Sequence, residues 1–119
     1  MATITESLDS LLTIDGSLAV AVVDSSSGMM LGGAGTGIDL ELAAAGNTEV
    51  VRAQLKTAAS LGLEGGIEDM LITLSNQIHI IRPLAKSPAV FVYLVLDKNK
   101  ANLALARLKV REVESTLVF

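Results

Sequence analysis

Two stretches, Leu18 to Val23 and Ala89 to Leu96, are apolar at nearly every position, and this constrains the fold more than any other feature of the chain. A strand with one face in water alternates apolar and polar residues. A strand that does not alternate must lie inside a layered structure with other elements above and below it. Leu18 to Val23 is β-branched at Val20, Val22 and Val23, as such a buried strand requires. The two runs therefore belong side by side at the centre of a sheet.

The remaining elements follow from periodicity and turn chemistry. Thr3 to Asp15 opens on a capping-box pattern, Thr3 and Glu6, and places Ile4, Leu8, Leu11 and Leu12 on one helical face before Gly16. After the first central run, Asp24-Ser25-Ser26-Ser27-Gly28 supplies a turn. Met29 to Ala34 returns as a second strand that gives way to glycines. Asp39 to Gly62 reads as a long helix with Asp39 as its N-cap. Asp69 to Leu74, Gln77 to Leu84 and Ala89 to Leu96 form a three-strand meander. Asn99 to Leu117 then sets Leu103, Ala106, Val110, Val113 and Leu117 opposite Lys100, Arg107, Arg111 and Glu114. With the strands numbered along the chain, the expectation is an α/β (α+β) sandwich: one domain over residues 1–119, a five-stranded antiparallel sheet of order 2-1-5-4-3, and helices on both faces.

Composition narrows the function. Half of the 119 residues are hydrophobic but only 3% are aromatic, so the interior is aliphatic and little is left to stack on bases. A net charge of −4 argues against nucleic acid, whose phosphates require local cationic excess. The chain has no cysteine, which removes disulfides, thiolate nucleophiles and cysteine zinc sites. It shows no secretory signal and no apolar run long enough for membrane insertion, so a cytoplasmic protein is expected.

The long helix carries more apolar surface than one core needs. One stripe runs through Leu40, Ala44, Val51, Leu55 and Ala58. A second runs through Ala43, Gly46, Val50, Ala53 and Leu61, small enough in places for another helix to approach closely. Glu41, Glu49, Arg52 and Lys56 leave only a narrow polar strip. Of the two sheet edges, strand 2 is interrupted by Gly32, Gly33 and Gly35. The third strand, with Met70, Ile72 and Leu74, has no proline, lysine or glycine to discourage pairing. A two-fold axis beside that strand would use both features, with Ala43, Gly46, Val50, Ala53, Met70, Ile72 and Leu74 at the contact.

Motifs for chemistry are weak. Gly32 to Gly37 has the glycine spacing of a phosphate loop, but Ile38 and Asp39 stand where lysine and a hydroxyl are needed, so a flexible connection into the helix is expected instead. His79 is the lone histidine, between Ile78 and Ile80 and on the face of Gln77 and Ile81. A structural role is expected, with a hydrolase built on it ranked last. Ser25 to Ser27 read as turn residues. Asp24, Asp39, Asp69 and Asp97 read as caps or turn initiators, and Arg82 as a solvated charge at a strand end. No catalytic residue, metal site or cofactor is expected.

The segments ESLDSLL, GSLAVAVVDSSSGMMLG, the alanine-rich helix, LITLSNQIHIIRPL and AVFVYLVLD, taken together, resemble the roadblock family of dynein light chains and their bacterial relatives over nearly the whole chain. The architecture is shared with profilin-like and longin domains. The resemblance implies a homodimer joined through the third strands and central helices. It also implies a non-catalytic adaptor or regulator of a Ras-like small GTPase, some relatives accelerating hydrolysis by positioning the GTPase's own residues. On that basis Glu49, Arg52 and Lys56 are the expected partner-binding residues. The alternative is a small-ligand-binding sensor domain whose aliphatic interior encloses an apolar ligand.

Overall fold

The computed structural model describes residues 1–63 and 65–118. In chain order it contains α1 (Ile4–Leu12), β1 (Ser17–Asp24), β2 (Met29–Gly35), α2 (Leu40–Ser60), β3 (Met70–Thr73), β4 (Gln77–Pro83), β5 (Val90–Asp97) and α3 (Leu103–Thr116). The strands form one antiparallel sheet in the order β2-β1-β5-β4-β3, with the two continuous apolar runs paired at its centre. Helices lie on both faces. α1 and α3 cover Val20, Val22, Ile80, Val92 and Leu94, while α2 covers Ala19, Ala21, Val23, Phe91 and Tyr93. No described helix is long and apolar enough to cross a membrane.

Local chemistry starts and stops these elements. In α1 the Thr3 hydroxyl accepts from the Glu6 amide at 3.1 Å and the Glu6 carboxylate accepts from the Thr3 amide at 3.1 Å, a reciprocal cap. The helix ends at Leu12, earlier than its sequence pattern suggested. Gly16 instead serves the turn into β1, at φ +84° and hard against Ala101. Asp39 caps α2 by accepting from the Leu42 amide, and Asn102 caps α3 by accepting from the Leu105 amide. The last helix thus begins at Leu103, and Lys100 lies in the turn before it, outside the polar helical face to which the sequence assigned it.

The glycine run is not a flexible connection. Gly32, Gly33 and Gly35 are strand residues paired with Val22, Ala21 and Ala19. A Cβ at Gly32 would stand 2.7 Å from the Ile4 side chain of α1. One at Gly33 would stand 2.9 Å from Met30 and 3.1 Å from Leu40 of α2. The glycines let helices settle closely onto both faces of one edge strand.

Candidate functional site

α2 packs on β1 and β2. On the β4–β3 flank the helix still covers Ile81, which is fully buried, but leaves Met70 and Ile72 half-buried. Along that flank runs an open groove of about 370 Å³, with Ile38, Asp39, Leu42, Ala43, Gly46 and Asn47 on the helix side and His79 and Tyr93 as its floor. The two strands alternate in step here, Met70 opposite Ile81 and Ile72 opposite His79, so Met70 and Ile72 continue the floor towards the free edge.

Of the seven residues assigned to self-association by sequence, Ala43 and Gly46 line this groove. Gly46, Val50 and Ala53 are exposed, Val50 at 42%, and Ala43 is half-buried. A Cβ at Gly46 would meet no atom within 4 Å. Met70 and Ile72 are half-buried on the α2 side of β3, while Leu74, exposed at 45%, lies just beyond the strand's end. β3 is an outer strand of the sheet.

Glu49, Arg52 and Lys56 are all exposed. Arg52 points away from the groove, its Nη2 donating to the Ser26 carbonyl at 2.7 Å in the β1–β2 turn. That turn is built by its own side chains: the Asp24 carboxylate accepts from the Ser26 amide and hydroxyl, and Ser25 Oγ donates to the Ala89 carbonyl. The Ser26 bonds hold the Asp24 carboxyl below its ordinary pKa. Ser25 to Ser27 are turn residues, as their sequence indicated.

The groove floor is a polar network inside an aliphatic protein. The His79 Nε2–H donates to Gln77 Oε1 at 2.9 Å, which leaves Nδ1 of the neutral ring to accept from the Tyr93 hydroxyl at 3.0 Å. The two rings meet edge to face, 5.4 Å apart. Burial lowers the His79 pKa and raises that of Tyr93, the latter partly offset by the Asn47 amide beside its hydroxyl. Sequence reasoning missed Tyr93 and Asn47 here. The signal was a single tyrosine in an otherwise aliphatic strand, whose hydroxyl needs a partner once buried.

On the opposite face, three sequence expectations are overturned. Arg82 is not a solvated charge: it is 9% exposed and donates through Nε to Glu114 Oε1 at 3.0 Å, with Asp69 4.0 Å from its Nη1. Glu114 is correspondingly buried rather than set on the polar side of the last helix. Asp69 is no cap but an ion-pair node, accepting two bonds from Arg107 at 2.9 and 3.2 Å. Arg82 and Glu114 also wall a cleft of about 440 Å³, lined by Ile67, Glu68, Pro83, Leu84 and Pro88. Among the described residues, no three His, Cys, Asp or Glu side chains gather as a metal site.

No protein-family model and no curated protein sequence matches the chain. Solved structures do. MglB of Myxococcus xanthus aligns with a TM-score of 0.83 over 94% of this chain and 89% of its own, at 19% identity. A Roadblock/LC7 domain from Streptomyces avermitilis aligns at 0.83 over 97% and 94%, at 8% identity. The gliding protein MglB of Thermus thermophilus aligns at 0.80 over 93% and 82%, at 16% identity. With the strand order β2-β1-β5-β4-β3, one helix on one face and two on the other, this chain has the roadblock fold.

Proposed function

We propose that the chain is a non-catalytic adaptor that pairs with a second copy of itself through α2 and β3, and that the pair binds a Ras-like small GTPase. The observation that carries the first half is the open flank of α2. Gly46 has open space where a side chain would stand, Val50 is exposed beside it, and Ile72 of the outer strand β3 is paired with the groove's His79. A second α2 laid in the groove would cover Ala43, Gly46, Val50 and Ala53, and the two β3 strands would continue one sheet into the other. One MglB of the same fold is described with a tetrameric arrangement, which supports self-association as a habit of this architecture.

The second half rests on the roadblock likeness and on the geometry of the polar strip. Glu49, Arg52 and Lys56 are exposed, and Arg52 is directed to the flank of α2 away from the groove, so they stay accessible when the groove is filled. Arg52 is held by the Ser26 carbonyl, which suits a docking contact better than a finger reaching into another active site.

Analytical ultracentrifugation tests the pairing. The wild-type chain is expected to sediment as a dimer, and Ile72→Pro, which removes an N–H and distorts β3, as a monomer. A dimer unchanged by that substitution would remove β3 from the contact. Mixing the chain with a Ras-like small GTPase from the same organism, and measuring both complex formation and GTP turnover, tests the second half. Arg52→Glu and Lys56→Glu should each weaken the complex by about 1 kcal/mol or less. Absence of both binding and any change in turnover would reject the GTPase reading.

A further inference from the structure

The arginines beside α3 stand between two clefts, and Arg82 borders both. The cleft of about 440 Å³ has the carboxylates of Glu68 and Glu114 in its lining. The other, of about 340 Å³, is lined by Asp69, Arg82, Ala104, Arg107, Leu108 and Arg111. Three guanidiniums meet one carboxylate there, and Arg107 already occupies that carboxylate through Nε and Nη2. Arg82 is the telling residue. Only 9% of it is exposed, yet its one hydrogen bond among the described residues runs through Nε, to Glu114. Its Nη1 lies 4.0 Å from Asp69 Oδ2, beyond hydrogen-bond reach and on the side of the smaller cleft. A guanidinium withdrawn from water needs acceptors for its outer N–H groups, and here Glu114 fixes the group while leaving those donors at the cleft wall. The Arg111 side chain is 59% exposed and its partner Glu68 60%, so their pairing is solvated and yields readily to a better acceptor. Arg107 keeps N–H groups beyond its two bonds to Asp69.

We propose that the smaller cleft is a binding site for a single phosphate group, held as the dianion between Arg82, Arg107 and Arg111. Its lining carries three positive charges and one negative, and that excess matches a phosphate of about −2 near neutral pH. Guanidinium forks take phosphate oxygens two at a time, and Arg82 is oriented for this in advance by its bond to Glu114. Ala104 and Leu108 give the cleft an apolar wall for the carbon atoms that would carry the phosphate. A net charge of −4 over the whole chain disfavours a polyanion such as nucleic acid, so one phosphate, free or on a side chain of a partner, is the ligand this cleft suits. The site belongs to the α3 side of the sheet and rests neither on self-association through α2 nor on the GTPase reading.

Heteronuclear NMR of the arginine Nε–H groups at about pH 7.5, where phosphate is mainly the dianion, reads the site directly. Added inorganic phosphate should move the Arg82 and Arg111 signals along one saturable curve, and acetate at matched ionic strength should not. Arg111→Gln, at an exposed position, should weaken phosphate binding about tenfold without disturbing the fold. Lys109→Gln removes the same charge from the same helix, but from the cleft beside α1 that Thr13, Ile14 and Asp15 line, and should leave binding unchanged. A short phosphoserine peptide, titrated in parallel, separates the two sources of the group. Tighter binding of the peptide assigns the phosphate to a partner chain, and equal binding assigns it to a free small molecule; both support the site. Arg82 and Arg111 signals that fail to saturate with either probe, an equal response to acetate, or an equal loss in Lys109→Gln and Arg111→Gln overturns it.

Discussion

The two faces of the sheet are covered by different means. α1 and α3 together seal one face, burying Leu8, Leu11, Val110 and Val113 against Val22, Ile80 and Leu94. Where that layer thins at the β4 end, Arg82, Glu114, Asp69 and Arg107 close it with paired charges. The other face has α2 alone, and beside that helix His79 of β4 and Tyr93 of β5 floor an open groove. A finished face binds its own chain. The half-covered one leaves Ala43 and Gly46 along an open groove, and it is there that the proposed second copy would pack.

The comparison predicts that damage to each face will be read by a different measurement. The largest effect should come from Leu11→Ala on the sealed face. Leu11 is wholly buried, so the substitution loses transfer free energy and leaves a cavity, costing about 2 to 5 kcal/mol in urea unfolding. The self-association of the remaining folded protein should not change. A shift in the dimer constant as large as the stability loss would mean that the two faces are not independent.

Next in size is the ionic closure. Arg82→Ala leaves the buried Glu114 without its guanidinium and should cost on the order of 3 kcal/mol. Arg82→Met combined with Glu114→Leu should recover most of that loss, because neither charge then needs solvation. A double variant no more stable than Arg82→Ala would show that the pair does more than cancel itself.

Acid should act on the other face. The folded pKa of His79 lies below its unfolded value, so the neutral ring is favoured by folding. Its contribution is fully present above the unfolded pKa and is lost as pH falls through that value towards the folded one. Thermal unfolding from neutral to acid pH should show wild type losing stability relative to His79→Gln in that window. Parallel pH curves for the two proteins would remove His79 as the cause.

Much of the frame was legible in the sequence because it depends on periodicity. The unbroken runs around Val20 and Val92 had to sit at the centre, and that fixed the strand order and left β3 at an edge. What was not legible depends on register and distance along the chain. Arg82 and Glu114 are far apart in sequence, and each looked like an ordinary exposed charge until the packing of α3 on β4 brought them together. Tyr93 reaches His79 because Ile81 stands opposite Tyr93 and Val95 opposite His79, a diagonal set by the β4–β5 register. Glycines 32 and 33 looked only like an interruption of the second strand because nothing local reveals that two helices will press on them from either side.

The smallest predicted change is also the sharpest test of the comparison, because one atom should act with opposite signs on the two properties. Gly46 lies inside α2, where glycine costs about 1 kcal/mol relative to alanine through the extra backbone freedom it loses. Nothing inside the chain requires that glycine: its φ is not positive, and a Cβ there would meet no atom within 4 Å. Gly46→Ala should therefore stabilise the isolated fold by up to about 1 kcal/mol. If a second helix approaches at this point, the same methyl pushes it outward and the dimer weakens, with Gly46→Leu abolishing it while leaving the monomer folded. Sedimentation combined with urea unfolding at several protein concentrations separates the two terms, since only the association term depends on concentration. If both substitutions leave the dimer intact, the helix flank is not the contact, and the open side of the sheet must be filled by something other than a second copy of this chain.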